Sequence, residues 1–268
     1  MQDYLTVNRK MWDQCVGIHV KSKLYDVQGF KKGRCTLLDV EREEVGDVRG
    51  KSLLHLQCHF GLDTMSWARL GARVTGMDFS EKAIDTARSL ANELDIPAEF
   101  LCCDLYELPR HLSGTFDIVF TTAGVLAWLP DLQGWAEVIA HFLKPNGVFY
   151  LREHHPCAGM FHDDQGVMEP RIRYPYFHTH EPLQCEGDGS YANPSADIHV
   201  VSYEWFHSMG DIINSLIKAD LRIEYLHEFD YCEIQSHPFL KHGKDGMWRY
   251  PDVQGGMPLM LSIRAIKT

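Results

Sequence analysis

The sequence predicts an α/β protein built on a doubly wound sheet, and three observations predict it. Apolar runs of strand length alternate with stretches of helical spacing through residues 51–153. Several of these runs end in an acid or a glycine-bearing turn, where ligands of such sheets bind. The 268 residues are 45% hydrophobic and 24% charged, so the chain is long enough and apolar enough to bury a sizeable core.

Residues 8–20 and about 36–48 have helical spacing, with short loops around Gly29 and Gly33. Lys51–Leu56 is a short apolar run and reads as the first, buried strand. Leu62, Met65, Trp67 and Leu70 give 61–71 a helical stripe that stops at Gly71. Arg73–Asp78 reads as a second strand ending in an acid, and Ser80 with Glu81 opens a helix through Ala83, Ile84, Ala87 and Leu90. Pro97 precedes a third strand, Glu99–Asp104, and Phe116–Thr121 is a fourth. A helix over 131–143 is expected to end at Lys144-Pro145-Asn146-Gly147, before a fifth strand, Val148–Glu153.

Residues 157–208 break the alternation. Their length and their Pro, Gly and His content predict a lid or binding loop, and their aromatic residues argue against disorder. A helix near 209–219, a strand at 221–228, a loop and a last strand at 258–266 follow. The whole chain, 1–268, reads as one domain. It divides into a helical cap (1–50), a core (51–156), a lid (157–208), and a closing helix and β-hairpin (209–268).

With 26 basic and 37 acidic residues the net charge is −11, which counts against a nucleic-acid or anionic-membrane partner. Two basic and nine acidic residues fall within 157–211, so the lid carries more than half of it. That balance suits a cationic cofactor and disfavours strongly anionic acceptors. No apolar run approaches the ~20 residues of a membrane span. No secretory signal is evident at the N-terminus, and the eight cysteines form no CxxC pair. A cytoplasmic protein with reduced thiols and no structural zinc is expected.

The first strand leads into Gln57-Cys58-His59-Phe60-Gly61, a glycine-bearing turn that can bring backbone N–H groups and a helix N-terminus to a cofactor. Asp78 ends the second strand and can accept from both hydroxyls of an adenosine ribose. Asp104 ends the third and can accept from an adenine amine while Leu105 packs on the ring. Each acid is equally suited to capping a turn.

Over about residues 50–153 these segments resemble the class I S-adenosylmethionine-dependent methyltransferases of type 11 or 12. The likeness rests on the Leu53–Gly61 turn, Val74-Thr75-Gly76-Met77-Asp78-Phe79-Ser80 and Phe100-Leu101-Cys102-Cys103-Asp104-Leu105. It continues through Phe116–Phe120 and Leu143–Leu151. The resemblance implies a Rossmann-like seven-stranded sheet with its last strand antiparallel. It also implies S-adenosylmethionine as cofactor, with S-adenosylhomocysteine as product. The implied cofactor residues are Gln57, Cys58, His59, Gly61, Asp78, Phe79, Asp104 and Leu105, with Thr121 and Thr122 after the fourth strand. The chain departs from the family where His55 replaces an acid and Gln57 and His59 replace two glycines. Those losses argue against a dinucleotide site. Gln57 and His59 either touch the cofactor through their side chains or tolerate a wider turn.

Methyl transfer from a sulfonium is an in-line displacement that requires positioning, exclusion of water and, for a protonated acceptor, a base. Glu153, His154 and His155 end the fifth strand and are the candidates for that role; capping or core packing would equally explain them. Tyr191, Tyr203, Trp205 and His207, with His199 and Glu204 beside them, are candidates for the acceptor pocket. Trp12 and Tyr25 are expected to close it from the cap, whereas Trp128 reads as packing. His178, His180 and His162 lack a firm third ligand, so no metal is expected. The expected acceptor is a small molecule of unspecified identity. An aminopropyl-type transferase or a non-catalytic cofactor-binding protein on the same fold are the alternatives, and the oligomeric state is open.

Overall fold

The computed structural model describes residues 4–164, 166–251 and 256–268. Three helices open the chain: α1 (Tyr4–His19), α2 (Val27–Lys31) and α3 (Asp39–Val45). The core alternates β1 (Ser52–Leu56), α4 (Leu62–Arg69), β2 (Arg73–Asp78), α5 (Glu81–Glu93), β3 (Ala98–Cys102), α6 (Leu108–His111), β4 (Phe116–Thr121), α7 (Leu132–Phe142) and β5 (Leu143–His154). A hairpin of β6 (Leu183–Asp188) and β7 (His199–Glu204) precedes α8 (Met209–Lys218) and β8 (Leu221–Phe229). Then come β9 (Tyr231–Cys232), β10 (Lys241–His242), β11 (Trp248–Arg249) and the closing strand β12 (Met260–Lys267).

The main sheet has the order β3-β2-β1-β4-β5-β12-β8. Strands β1 to β5 run parallel, and β12 is antiparallel to both β5 and β8. The order reverses beside β1, so the C-terminal ends of β1, β2 and β4 open onto one crevice. Helices bury both faces. Ser80 caps α5 by accepting from the Ala83 amide, and Ala83, Ile84, Ala87, Leu90 and Ala91 pack with Phe60, Met65 and Phe100. Trp135, Ile139 and Phe142 of α7, with Leu216 of α8, cover the other face.

The structure departs from the sequence reading in five places. Helix α1 begins at Tyr4, and the helix expected over 36–48 shrinks to α3, where the Glu41 carboxylate accepts from the Leu38 amide. A short α2 occupies the loop expected at Gly29. Lys144–Gly147 does not stop the chain between helix and strand but is taken into β5 as a bulge. The pairing with β4 jumps from Phe116–Leu143 to Ile118–Val148, Asn146 adopts φ 61°, and Lys144 Nζ donates to Asp117 at 2.8 Å. The expected loop between the last two main strands carries a small sheet of order β10-β11-β9, packed over its own apolar cluster with Phe161, Phe239 and Tyr250.

The hairpin is fastened to the cap. Asn8 is buried in α1; its Nδ2 donates to the Tyr203 carbonyl at 2.8 Å and its Oδ1 accepts from the Tyr203 amide at 2.7 Å. The side-chain amide acts as one residue of an extra strand. Among the described residues no helix is long and apolar enough to cross a membrane. Replacing Asn8 by Ala strands a buried N–H and C=O and should cost about 2–4 kcal/mol. Faster amide exchange across 199–205 is the expected readout, and unchanged protection there would show that the hairpin is held by other contacts.

Candidate functional site

The turn after β1 keeps the backbone hand that glycine favours although only one glycine remains. Gln57, His59 and Gly61 have φ 55°, 51° and 77°. At Gly61 a side chain is impossible, because a Cβ would stand 2.6 Å from the Phe100 ring. At Gln57 and His59 the left-handed conformation costs roughly 1–2 kcal/mol each, and local bonds offset it. Gln57 Nε2 donates to the Val125 carbonyl at 3.1 Å, while its Oε1 is buried without a hydrogen bond to the described residues. The His59 amide donates to Asp78 Oδ2 at 2.8 Å, and the Ser80 amide donates to Oδ1 at 2.9 Å. The Cys58 thiol is packed into the core beside Phe100 and Gly76.

His59 Nε2 lies 2.9 Å from His19 Nδ1, and His19 Nε2 lies 2.6 Å from Ser190 Oγ. Burial lowers His19 to about 4 and His59 well below its usual value, so both rings are neutral at pH 7. Turn, cap and lid thereby share one hydrogen-bonded chain. Trp12 meets His59 and Trp128 edge-on at 5.2 and 5.3 Å, and the Tyr25 and Tyr191 hydroxyls touch above the same turn.

Asp78 is buried at the end of β2, and burial pushes its carboxyl up to about 6 despite the amides of Ser80, His59 and Phe79. Asp104 follows β3 and caps the next turn, its Oδ1 accepting from the Tyr106 amide at 2.7 Å; Leu105 beside it is buried. Asp78, Phe79, Asp104, Leu105 and Thr122 line one cavity of about 1910 Å³ with the β1 turn. Thr121 does not. Its side chain is sealed inside the sheet, which corrects its assignment to the cofactor.

The three residues that end β5 have separate roles. The Glu153 carboxylate accepts from the amides of Gly124, Val125 and Leu126 at 2.6, 2.8 and 3.0 Å, and from His154 at 2.7 Å. That favours the capping explanation over a base. His155 Nδ1 accepts from the Cys157 amide at 3.1 Å and its Nε2 lies 2.9 Å from the Glu228 carboxylate, so its ring is also tied into the structure. His154 faces the cavity beside Cys232. Burial opposes its charge, but Cys232 and Glu153 outweigh burial and leave its pKa raised.

Trp12, Tyr25, Tyr191, Trp205 and His207 line the same cavity. His207 is a wall residue: Nε2 bonds the Leu129 carbonyl at 2.8 Å and the ring stacks on His178 at 5.0 Å. Tyr203 lies outside the lining, its ring against Tyr4 at 4.8 Å, which corrects its place among the pocket residues. His199 is exposed and pairs with Asp188. Sequence reasoning missed Thr36, Asp63 and the strip Cys232–His237, all of which line the cavity. The strip carries no motif or periodicity that would have marked it.

His162, Asp163 and Asp164 are close enough to gather a cation. The Arg173 guanidinium stands there instead, 2.8 Å from His162 Nε2 and 3.0 Å from Asp164. The His178 and His180 rings are 6.2 Å apart, and His178 Nδ1 bonds the Phe206 carbonyl at 3.1 Å.

Residues 54–151 match the family model described as a methyltransferase domain. The chain is 32% identical over 110 residues to a ubiquinone biosynthesis O-methyltransferase of Bordetella avium, covering 41% of this chain and 45% of that protein. A protein of the same name from Xanthomonas oryzae pv. oryzae is 29% identical over 133 residues, covering 48% and 55%. The chain thus spans about half the length of the curated relatives it matches. An S-adenosylmethionine-dependent methyltransferase structure from Mesorhizobium loti aligns with TM-score 0.60 at 23% identity, over 88% of this chain and 99% of that one. The glycopeptide N-methyltransferase MtfA in complex with S-adenosylmethionine aligns with TM-score 0.55 at 14% identity, over 85% of each chain. These two likenesses show the fold. With the strand order β3-β2-β1-β4-β5-β12-β8 the chain shares their Rossmann-like architecture, and its core segment, residues 54–151, is similar to the methyltransferase domain.

Proposed function

We propose that the chain binds S-adenosylmethionine and transfers its methyl group to a small-molecule acceptor, releasing S-adenosylhomocysteine. The observation that carries this reading is the shared cavity. The left-handed turn, Asp78 and Asp104 open into the same cavity as the aromatic walls of the lid. Asp78 would accept from the ribose hydroxyls and Asp104 from the adenine amine. The buried, unbonded Gln57 Oε1 offers an acceptor to a donor of the methionine end. Bound there, the cofactor supplies an electrophilic methyl carbon. The chain's contribution is to hold the acceptor in line with it and to keep water out. As the acceptor's electron pair attacks the methyl carbon, the C–S pair returns to sulfur, so no metal or covalent enzyme intermediate is needed. Among the three residues at the end of β5, His154 is best placed to receive a proton.

Incubating the protein with methyl-labelled S-adenosylmethionine and a metabolite extract tests the reading. Labelled product with S-adenosylhomocysteine supports it. Tight cofactor binding without turnover of any acceptor would favour a non-catalytic cofactor-binding protein. Turnover only with the decarboxylated cofactor and a polyamine would favour an aminopropyl transferase.

Two substitutions separate the roles. Asp78→Ala removes hydrogen bonds to an ionised group, worth about 1.5–3 kcal/mol, so cofactor affinity measured by calorimetry should fall roughly 10- to 100-fold. Because the carboxylate is the accepting form, wild-type affinity should also decline as pH falls through about 6, and Asp78→Ala should not share that decline. Glu153→Gln replaces one accepting oxygen by an NH₂ facing amide donors. Its expected signature is a loss of about 2–4 kcal/mol of stability in denaturant titration. Unchanged stability with a collapsed kcat would instead identify Glu153 as the base.

A further inference from the structure

Resting on the reading of this cavity as a methyl-transfer site, we infer that the acceptor is a cation, an aromatic or alkyl ammonium seated against Glu204. Glu204 ends β7, and strand alternation puts Ser202 and Glu204 on one face and Tyr203 on the other. Tyr203 packs on the Tyr4 ring, so the opposite face is the one that looks into the cavity. Glu204 lines that cavity and Tyr203 does not.

The carboxylates of this region differ in what holds them. Asp164 is paired with Arg173, the one Arg or Lys on the lid side of the lining. Asp163 accepts from the Tyr174 hydroxyl at 2.8 Å, and Glu186 accepts from Gln184 Nε2 at 2.6 Å with His199 3.9 Å away. Glu204 has neutral partners: Ser202 Oγ donates to Oε1 at 3.1 Å, and the Cys185 thiol of the paired strand lies against it. Among the described residues no Lys or Arg comes within ion-pair distance of it. Burial raises its pKa, and the nearby Asp163 charge raises it further. A carboxylate in that setting is stabilised by an incoming positive charge.

The neighbouring walls suit the same ligand. Trp205 and Phe206 follow Glu204 directly, Phe206 stacks on Tyr174 with centroids 5.8 Å apart, and all three rings line the cavity. A cation over such faces is attracted by the ring quadrupoles, most strongly where water is excluded. On the lid side an anionic acceptor would meet Asp163, Asp164, Glu186 and Glu204 with one guanidinium, that of Arg173, itself already paired.

The test uses the full chain saturated with S-adenosylhomocysteine and three probes of similar shape: phenyltrimethylammonium, its uncharged isostere tert-butylbenzene, and phenylacetate. Calorimetry or ligand-observed NMR should show the ammonium binding at least tenfold tighter than tert-butylbenzene, and phenylacetate weakest. Glu204→Gln should bring the ammonium within about twofold of the neutral isostere while leaving tert-butylbenzene and S-adenosylhomocysteine binding unchanged. Equal affinity for the charged and neutral probes, tighter phenylacetate binding, or an ammonium affinity indifferent to Glu204→Gln would overturn the inference. The wild-type probe series decides it even if the variant does not fold. S-adenosylhomocysteine binding, measured first, keeps the two readings apart. If it binds and the ammonium gains nothing, the acceptor class is wrong; if it fails to bind, the cofactor reading is what fails.

Discussion

The Glu153 carboxylate accepts four amide protons, three of them from Gly124, Val125 and Leu126, and the other walls of the cavity attach to the segment it fixes. Gln57 of the β1 turn donates to the Val125 carbonyl. Trp128 closes the segment on itself through Nε1 to the Gly124 carbonyl at 2.8 Å and presents its ring to Trp12 of the cap. The Trp205 amide donates to the Ala127 carbonyl at 2.8 Å, and His207 bonds the Leu129 carbonyl. Residues 124–129 contain one short 3₁₀ turn and no sheet ladder. Their backbone groups therefore need partners from elsewhere, and β5, the cap and the lid supply them. One buried acid thus sets the distance between the β1-turn side and the lid side of the cavity.

A second constraint acts at the β1 turn. Two non-glycine residues hold left-handed backbone there, a conformation that persists only where the surroundings over-determine it. Both side chains are anchored, Gln57 to residue 125 and His59 to His19. Gly61 needs no such anchor but cannot be replaced, since Phe100 occupies the space of a side chain. The family's glycine pattern therefore reports a backbone path, and here the same path is built partly from side chains.

The sheet was legible because its signal is local. Buried strands read as apolar runs, and Ser80, Gly71 and Asp78 punctuate them. The site was legible only where it follows strand ends. Glu153 lies at the expected position, but its four donors come from a loop whose conformation no local pattern specifies. Tyr203 and Glu204 are adjacent candidates on opposite faces of β7. Which face looks inward depends on Asn8, some 195 positions away in sequence, so alternation alone could not choose between them. The sheet β9–β11 was invisible for another reason: two-residue strands leave no period to detect. Lys144–Gly147 misled in the opposite direction, since a tetrapeptide rich in breakers is also what a bulge requires.

The roof over the cavity is joined by hydrogen bonds between uncharged groups. At pH 7 His19 and His59 are neutral, so the chain from Ser190 through His19 to His59 carries no ion pair. A neutral hydrogen bond contributes about 0.5–1.5 kcal/mol net, and the Tyr25–Tyr191 contact adds one of the same kind. Asn8, by contrast, fastens the base of the hairpin with two buried bonds. The β6–β7 hairpin is therefore firmly rooted at Tyr203 and weakly joined at its far end, where residues 190–191 meet the cap. Such a gradient lets the far end part from His19 and Tyr25 at small cost while the walls at Trp205 and His207 stay in register with residues 127–129. Opening of the cavity mouth and retention of its shaped wall then fall to separate ends of one hairpin.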